Sequence, residues 1–200
     1  MKNTTLLIIG FLLVLEVQAQ DAYHSALQQL FGDNYGLPAG TWILHDTEEA
    51  ILNNAGGYNV QSTVADADGQ DFSKVVRFIA GAGANAWDAG YNIQNTVGIA
   101  QSEKVLLTFW IRSIDGEGEV NVFSEDASTY DKQAYLTLTV SENWTQYFIP
   151  YESTKNFGAG TASFGFHLAN RAQTVEVGGF TAVKFPANIP TNQLPNKTGN

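Results

Sequence analysis

The sequence predicts an all-β sandwich of two antiparallel sheets, preceded by one short N-terminal helix. Beyond Gly36, short runs rich in β-branched and aromatic residues alternate with Gly, Asn, Asp and Ser, which is typical of a sandwich or barrel. No helix-length segment separates the later runs, and this disfavours a parallel α/β sheet. The chain is long enough for one domain with a sizeable core.

Residues 1–19 have the layout of a secretory signal peptide. Lys2 precedes an apolar run over residues 6–15, and small residues at 17–19 predict cleavage after Ala19. The run is too short to span a bilayer, and no later stretch approaches the ~20 apolar residues of a membrane helix. We therefore expect a protein without a membrane segment, secreted or periplasmic. The absence of cysteine excludes disulfides and a lipid-anchored N-terminus.

The only helical periodicity lies in residues 21–30. Ala22, Ala26, Leu27 and Leu30 fall near one face, and Gly32 and Asp33 are expected to end the helix. Residues 20–34 are therefore interpreted as a short helix with its lead-in.

Ten strands are predicted between residues 35 and 186. They span residues 41–45, 58–64, 74–79, 88–94, 104–113, 119–125, 134–140, 145–151, 161–169 and 174–185. The DGEG turn at residues 115–118 predicts antiparallel pairing of the fifth and sixth strands, and Gly178 and Gly179 predict a bulge in the last one. Residues 187–200 are polar and rich in proline, which predicts a linker and, beyond it, a further domain.

Side chains alternate across a strand, so residue parity sorts each run into two faces. In the strands at 104–113, 119–125, 134–140 and 161–169 one parity is apolar and is assigned to the core. We expect the other parity to form one sheet surface, on which the informative side chains are Trp110, Arg112, Phe123, Glu125, Tyr135 and His167. Rings beside hydrogen-bonding groups suit sugars, which present apolar C–H faces and hydroxyl rims. Two alternatives stay open: a second core layer, and for Arg112 and Glu125 a cross-strand ion pair.

Trp87, Asn92 and Gln94 follow a glycine-rich approach at residues 81–85, which places them at the edge of this surface. Trp87 is either a rim platform for a ligand or a core residue, since it shares the parity of Ala89, Tyr91 and Ile93. Trp42 and Trp144 are interpreted as packing residues.

Several segments resemble the carbohydrate-binding modules of families 4, 9 and 22. The segments in the C-terminal half are residues 144–151 (WTQYFIPY), 164–168 (FGFHL) and 173–180 (QTVEVGGF). Three upstream segments are similar to modules found ahead of family 10 glycoside hydrolases in xylanases; they are residues 35–42, 69–74 and 84–88. The resemblance covers residues 35–185. It implies a galactose-binding-like jelly roll that binds xylan or β-glucan chains in a cleft and holds an appended catalytic domain on its substrate. Relatives often place calcium-binding acids where this chain has Gly178 and Gly179, so a structural calcium is an open possibility and its ligands are unknown.

The net charge of −10 disfavours nucleic acid, anionic lipid and sulfated glycans as partners and is compatible with a neutral polymer. His24, His45 and His167 are far apart in sequence, and no metal-binding or phosphate-binding motif occurs. We therefore assign no catalytic residue and no cofactor.

Two alternative functions remain. One is a jelly-roll glycosidase, which needs two carboxylates across the scissile bond, or a polysaccharide lyase built from Tyr135, His167 and Arg112. The other is a surface module that docks another protein.

Overall fold

The computed structural model describes residues 22–67 and 69–198. The predicted signal peptide, residues 1–19, lies outside the described residues. No helix within the described ranges is long and apolar enough to cross a bilayer.

Two antiparallel sheets form the molecule. The strands are β1 (Thr41–Trp42), β2 (Gly56–Tyr58), β3 (Gln61–Asp66), β4 (Lys74–Ala80), β5 (Gly90–Gln94), β6 (Lys104–Ser113), β7 (Gly118–Asp126), β8 (Lys132–Val140), β9 (Thr145–Glu152), β10 (Ala162–His167) and β11 (Gln173–Phe185). The six-stranded sheet has the order β3-β4-β11-β6-β9, with β1 paired to β11, and the five-stranded sheet has the order β2-β5-β10-β7-β8. The predicted all-β jelly-roll sandwich is confirmed.

Successive strands often lie in different sheets, and two sequence predictions fail for that reason. The predicted strand at 58–64 is two strands, because β2 belongs to the five-stranded sheet and β3 to the six-stranded one. The turn at residues 115–118 does not join antiparallel neighbours. It carries the chain from β6 in one sheet to β7 in the other, as a jelly roll requires.

The main core lies between the sheets and consists of the residues that parity assigned to it. Alternate side chains of β6, β7, β8 and β10 point inward and are buried; they include Val105, Leu107, Phe109, Ile111, Val120, Val122, Leu138, Phe164 and Phe166. The two sheets are thus held together by apolar side chains whose spacing along each strand is two.

A second apolar cluster lies on the outer face of the six-stranded sheet, where helix α1 (Ala22–Tyr35) packs. The helix buries Tyr23, His24, Leu27 and Phe31, whereas Ala22 and Ala26 of the predicted face are exposed. Large rings fill this surface better than alanine does, so they decide which face docks. The helix also continues through Gly32 and Asp33 and ends before Gly36, whose φ is 61°.

The glycine bulge in β11 is confirmed and makes room for this docking. The register of β11 against β6 shifts between Gly178 and Thr181, and Gly179 has a φ of 56°. A Cβ at Gly178 would lie 2.1 Å from the ring of Phe72, and one at Gly179 would lie 2.5 Å from the ring of Tyr23. Glycine is required here by both the close approach and the backbone conformation.

Two further segments differ from the prediction. A second helix, α2 (Glu48–Asn54), follows Thr47, whose hydroxyl accepts from the Ala50 N–H; a threonine followed by two acids is a helix start that could have been recognised. The C-terminal tail is not a linker over its described part. Leu194 is buried in the cluster under α1, and Lys197 exchanges backbone hydrogen bonds of 2.9 and 3.1 Å with Phe148.

Candidate functional site

The outer face of the five-stranded sheet carries most of the side chains singled out from the sequence. Asn92 and Gln94 project from β5, Phe123 and Glu125 from β7, Tyr135 from β8 and His167 from β10. The strand register aligns Asn92, Gly165, Phe123 and Tyr135 in one row across the sheet. Gln94, Ser163, Glu125 and Lys132 form the adjacent row.

Trp110 and Arg112 do not belong to this face, and their assignment to it is wrong. Both lie on β6, which pairs with β11 and β9 in the six-stranded sheet. Residue parity separates the two faces of a strand, but it does not say to which sheet the strand belongs. The outward residues of β6 therefore lie on the opposite side of the sandwich from those of β7.

Both residues have structural partners there. Trp110 packs in the cluster beneath α1, with its ring centroid 6.2 Å from that of Phe72. The Arg112 guanidinium lies 2.7 Å from a carboxylate oxygen of Glu176 and 4.8 Å from the ring centroid of Trp144. The ion pair of Arg112 with Glu125 considered from the sequence is not formed, since Glu125 pairs with Lys132.

A groove crosses the outer face of the five-stranded sheet. One half has a volume of about 620 Å³ and is lined by Tyr58, Trp87, Asn92, Glu125, Tyr130, Lys132 and His167. The other half has a volume of about 540 Å³; its lining includes Asn92, Gln94, Glu125, Tyr130 and Ser163. The halves share Asn92, Glu125 and Tyr130, so they form one continuous groove.

Trp87 and Tyr130 line this groove with exposed aromatic rings. Trp87 is 59% exposed, because the 3₁₀ turn Ala86–Asp88 breaks the strand alternation that its parity implied. Ala89, Tyr91 and Ile93 are buried as core residues, so Trp87 is a rim residue rather than part of the core. Tyr130, in the loop between β7 and β8, is 67% exposed and was not identified from the sequence.

Lys132 reaches over the floor of the groove and was also missed. Its ammonium pairs with the Glu125 carboxylate and lies 5.1 Å from the ring centroid of Phe123 and 5.4 Å from that of Tyr135. Burial lowers the pKa of this amine. Phe123 points outward as predicted, but it is only 1% exposed, so it supports the groove floor from below.

His167 lies beside this pair as a neutral hydrogen-bonding group. Its ring is 4.4 Å from that of Phe123 and tilted by 32°, and only 4% of the residue is exposed. Burial, and then the nearby Lys132 charge, lower the pKa of His167 to about 4. Its Nδ1 has no hydrogen-bond partner in the described part of the chain.

Some of the remaining polar side chains on this face make hydrogen bonds within the protein, and others make none. The Asn121 amide donates a 2.6 Å hydrogen bond to the Tyr135 hydroxyl. Burial, and then the electrostatic effect of Tyr135, raise the pKa of Tyr58. The side chains of Asn92 and Gln94 make no hydrogen bond to any residue in 22–67 or 69–198. They therefore present free donors and acceptors to the groove.

Metal binding has no obvious site among the residues that the structure describes. No group of three or more His, Cys, Asp or Glu side chains lies close enough there to hold an ion. The structural calcium that the resemblance leaves open stays a prediction.

Comparisons with known proteins identify the fold. No family model and no curated protein matches the sequence. A CBM4 carbohydrate-binding module superposes with a TM-score of 0.55 at 10% identity, over 66% of this chain and 96% of that one. The chain thus has the sandwich fold of carbohydrate-binding modules, as the sequence resemblance predicted.

Two larger solved structures contain the same fold. An arabinose-bound GH51 α-L-arabinofuranosidase gives a TM-score of 0.57 at 15% identity, over 81% of this chain and 30% of that one. The CBM22-1 and GH10 modules of a Clostridium thermocellum endo-1,4-β-D-xylanase, complexed with xylohexaose, give 0.52 at 9% identity, over 76% of this chain and 29% of that one. In both, the matched region is under a third of the longer chain.

Proposed function

We propose that this chain is a non-catalytic carbohydrate-binding module whose groove holds a neutral β-linked polysaccharide of the plant cell wall, xylan or β-glucan. The observation that carries the proposal is the composition of the groove. Exposed rings of Trp87 and Tyr130 accompany the side chains of Asn92 and Gln94, which make no hydrogen bond within the described structure, and His167, whose Nδ1 makes none there.

This combination matches the chemistry of a sugar chain. The C–H faces of a pyranose ring are apolar and stack on aromatic planes, whereas the hydroxyl rim needs donors and acceptors. A free amide in a groove can exchange its water for hydroxyl groups at little cost, because the number of hydrogen bonds is conserved. Each half of the groove has the volume of an ordinary ligand site, roughly 300–1,000 Å³.

The charges favour a neutral polymer. Lys132 and Glu125 form an ion pair and contribute no net charge to the groove, and the chain carries −10 overall. A polyanion would be repelled at long range without a compensating cationic patch in the groove. Xylan and β-glucan backbones avoid this repulsion.

The same residues argue against catalysis in the groove. A glycosidase needs two carboxyl groups about 5 to 10 Å apart, but Glu125 is the only acidic residue lining either half within the described ranges, and it is engaged by Lys132. The lyase set considered from the sequence is divided, since Arg112 lies on the other sheet from Tyr135 and His167.

We also propose that the chain is exported and acts beside a catalytic domain. The signal-peptide pattern at residues 1–19 supports export. The xylanase that shares the fold combines its CBM22-1 module with a GH10 module. Tethering of this kind raises the effective concentration of enzyme at the polymer without any new contact.

Isothermal titration calorimetry with xylohexaose and cellohexaose tests the proposal. We expect the wild-type protein to bind at least one of them and Trp87→Ala to bind more weakly. Tyr35→Ala is the matched control, because Tyr35 is an exposed aromatic residue at the end of α1, on the other side of the sandwich. The wild-type protein could instead bind neither oligosaccharide, show no binding to xylan or β-glucan in affinity gels, and retain a partner protein. That result would refute sugar binding and support protein docking.

A further inference from the structure

Tyr130 combines an uncommon backbone conformation with an exposed side chain that lacks contacts. It lies in the loop between β7 and β8 with a φ of 62°, which is uncommon for a bulky aromatic residue. It is 67% exposed, and its side chain makes no hydrogen bond or ring contact with the described part of the chain. The backbone thus carries strain that the ring does not offset by packing.

The loop is held in this conformation by its own hydrogen bonds. One carboxylate oxygen of Asp126 accepts from the Ser128 N–H at 2.9 Å, the Ser128 hydroxyl at 2.7 Å and the Thr129 N–H at 3.1 Å. The Tyr130 N–H donates to the Asp126 carbonyl at 2.9 Å, and the Asp126 N–H donates to the Asp131 carbonyl at 3.0 Å. Asp126 therefore takes part in all of these hydrogen bonds, which hold the loop in its conformation.

Lys155, which follows β9, fixes Asp126 from outside the loop. Its ammonium lies 2.6 Å from the second carboxylate oxygen of Asp126. The hydrogen bond from Lys155, with those from Ser128 and Thr129, holds the pKa of Asp126 well below its usual range, so the carboxylate is ionised at neutral pH. The Ala127 N–H also donates to the Thr161 carbonyl at 2.9 Å, which ties the loop to the start of β10.

The ring stands where the two halves of the groove meet, since it lines both. An exposed ring on a strained backbone, at the junction of the two halves of the groove, has no evident role in folding. Preorganisation of the loop explains it, because a backbone that is already held by hydrogen bonds loses little conformational entropy when a ligand stacks on the ring that it carries.

We infer that Tyr130 is a preorganised stacking residue for the bound glycan and determines its affinity, with Asp126 and Lys155 as positioning residues. This inference rests on the proposed function and assigns a role within it. Binding energy at this site depends on a backbone conformation that the protein maintains at a cost in stability.

The test compares stability and affinity in Tyr130→Asn. Asparagine tolerates a positive φ, so the melting temperature is expected to rise by about 2 to 4 °C, the effect of relieving one strained residue in a chain of this size. The dissociation constant for the better of xylohexaose and cellohexaose is expected to increase about tenfold or more. Tyr130→Phe keeps the ring and should retain the affinity.

Lys155 supplies the test of positioning. Lys155→Met removes the ion pair and should weaken binding severalfold while the groove residues themselves stay unchanged, and Lys155→Arg should restore wild-type affinity. If Lys155→Met binds as tightly as Lys155→Arg and the wild type, the loop does not need the ion pair between Lys155 and Asp126, and the positioning role is wrong.

The possible outcomes distinguish a failure of this inference from a failure of the proposed function. A wild-type protein that binds no oligosaccharide refutes the proposed function. A wild-type protein that binds, together with Tyr130→Asn of equal affinity, refutes only the role of Tyr130. A lower melting temperature in Tyr130→Asn would mean that the ring stabilises the fold, and this also overturns the inference.

Discussion

Replacement of Trp110 by alanine tests the assignment of the two sheet faces. The indole lies in the apolar cluster between α1 and the six-stranded sheet, against Phe72. Full burial would make a Trp→Ala change cost about 3–5 kcal/mol, and Trp110 is partly buried, so we expect a loss of about 3 kcal/mol in the free energy of unfolding. In a chain of this length that lowers the melting temperature by roughly 6 to 12 °C.

Thermal unfolding followed by circular dichroism measures this loss, and calorimetry with the bound oligosaccharide measures affinity in the same variant. Affinity should be unchanged within about twofold, because Trp110 lies on the sheet opposite to the groove. Trp87→Ala is the matched comparison, since an exposed residue of the same type should change stability by less than about 0.5 kcal/mol. If Trp110→Ala melts like the wild type and binds sugar weakly, the assignment of faces is wrong.

Three further predictions concern other parts of the molecule. Gly179→Ala should lower the free energy of unfolding by about 2–3 kcal/mol in urea titrations, because alanine is strained at a φ of 56° and its Cβ would meet the ring of Tyr23; unchanged stability would show that α1 does not require this bulge. Because burial lowers the pKa of His167 to about 4, the unfolded chain binds more protons than the folded one between about pH 6.5 and pH 4. Stability should fall by about 1–2 kcal/mol as the pH drops through this window, and a His167→Gln variant with the same pH dependence would exclude His167 as the cause. Arg112→Met should destabilise the fold by about 1–2 kcal/mol, because the buried Glu176 then keeps only Arg77 as a cationic partner among the described residues, and should leave glycan affinity unaltered; weaker binding in calorimetry would place Arg112 at the ligand after all.

Strand parity predicted the core well because it reports a local property. Alternation along β6, β7 and β10 marks the inward residues wherever the strand lies. The sheet to which each strand belongs depends on hydrogen bonding between distant segments, as in the pairing of β6 with β11. Local sequence does not contain that information, and for this reason Trp110 and Arg112 were placed on the wrong face.

The groove was predicted only in part. Glu125 and His167 were found by parity, and Asn92 by its position after a glycine-rich approach. Tyr130 was missed because its exposure depends on a left-handed backbone conformation that no residue pattern predicts. Lys132 was missed because its register is displaced by an irregularity between Ser124 and Glu125. The face of α1 was misjudged for a similar reason, since tertiary packing of Tyr23 and Phe31 overrode the weak alanine pattern.

Titration of ¹⁵N-labelled protein with the bound oligosaccharide tests the central claim most directly. The chain has four tryptophans, and each contributes one indole N–H signal. Trp42, Trp110 and Trp144 belong to the cluster on the outer face of the six-stranded sheet, whereas Trp87 lines the groove. We predict that the Trp87 signal shifts and the other three remain in place. A shift of Trp110 or Trp144 with Trp87 unmoved would contradict glycan binding on the five-stranded sheet.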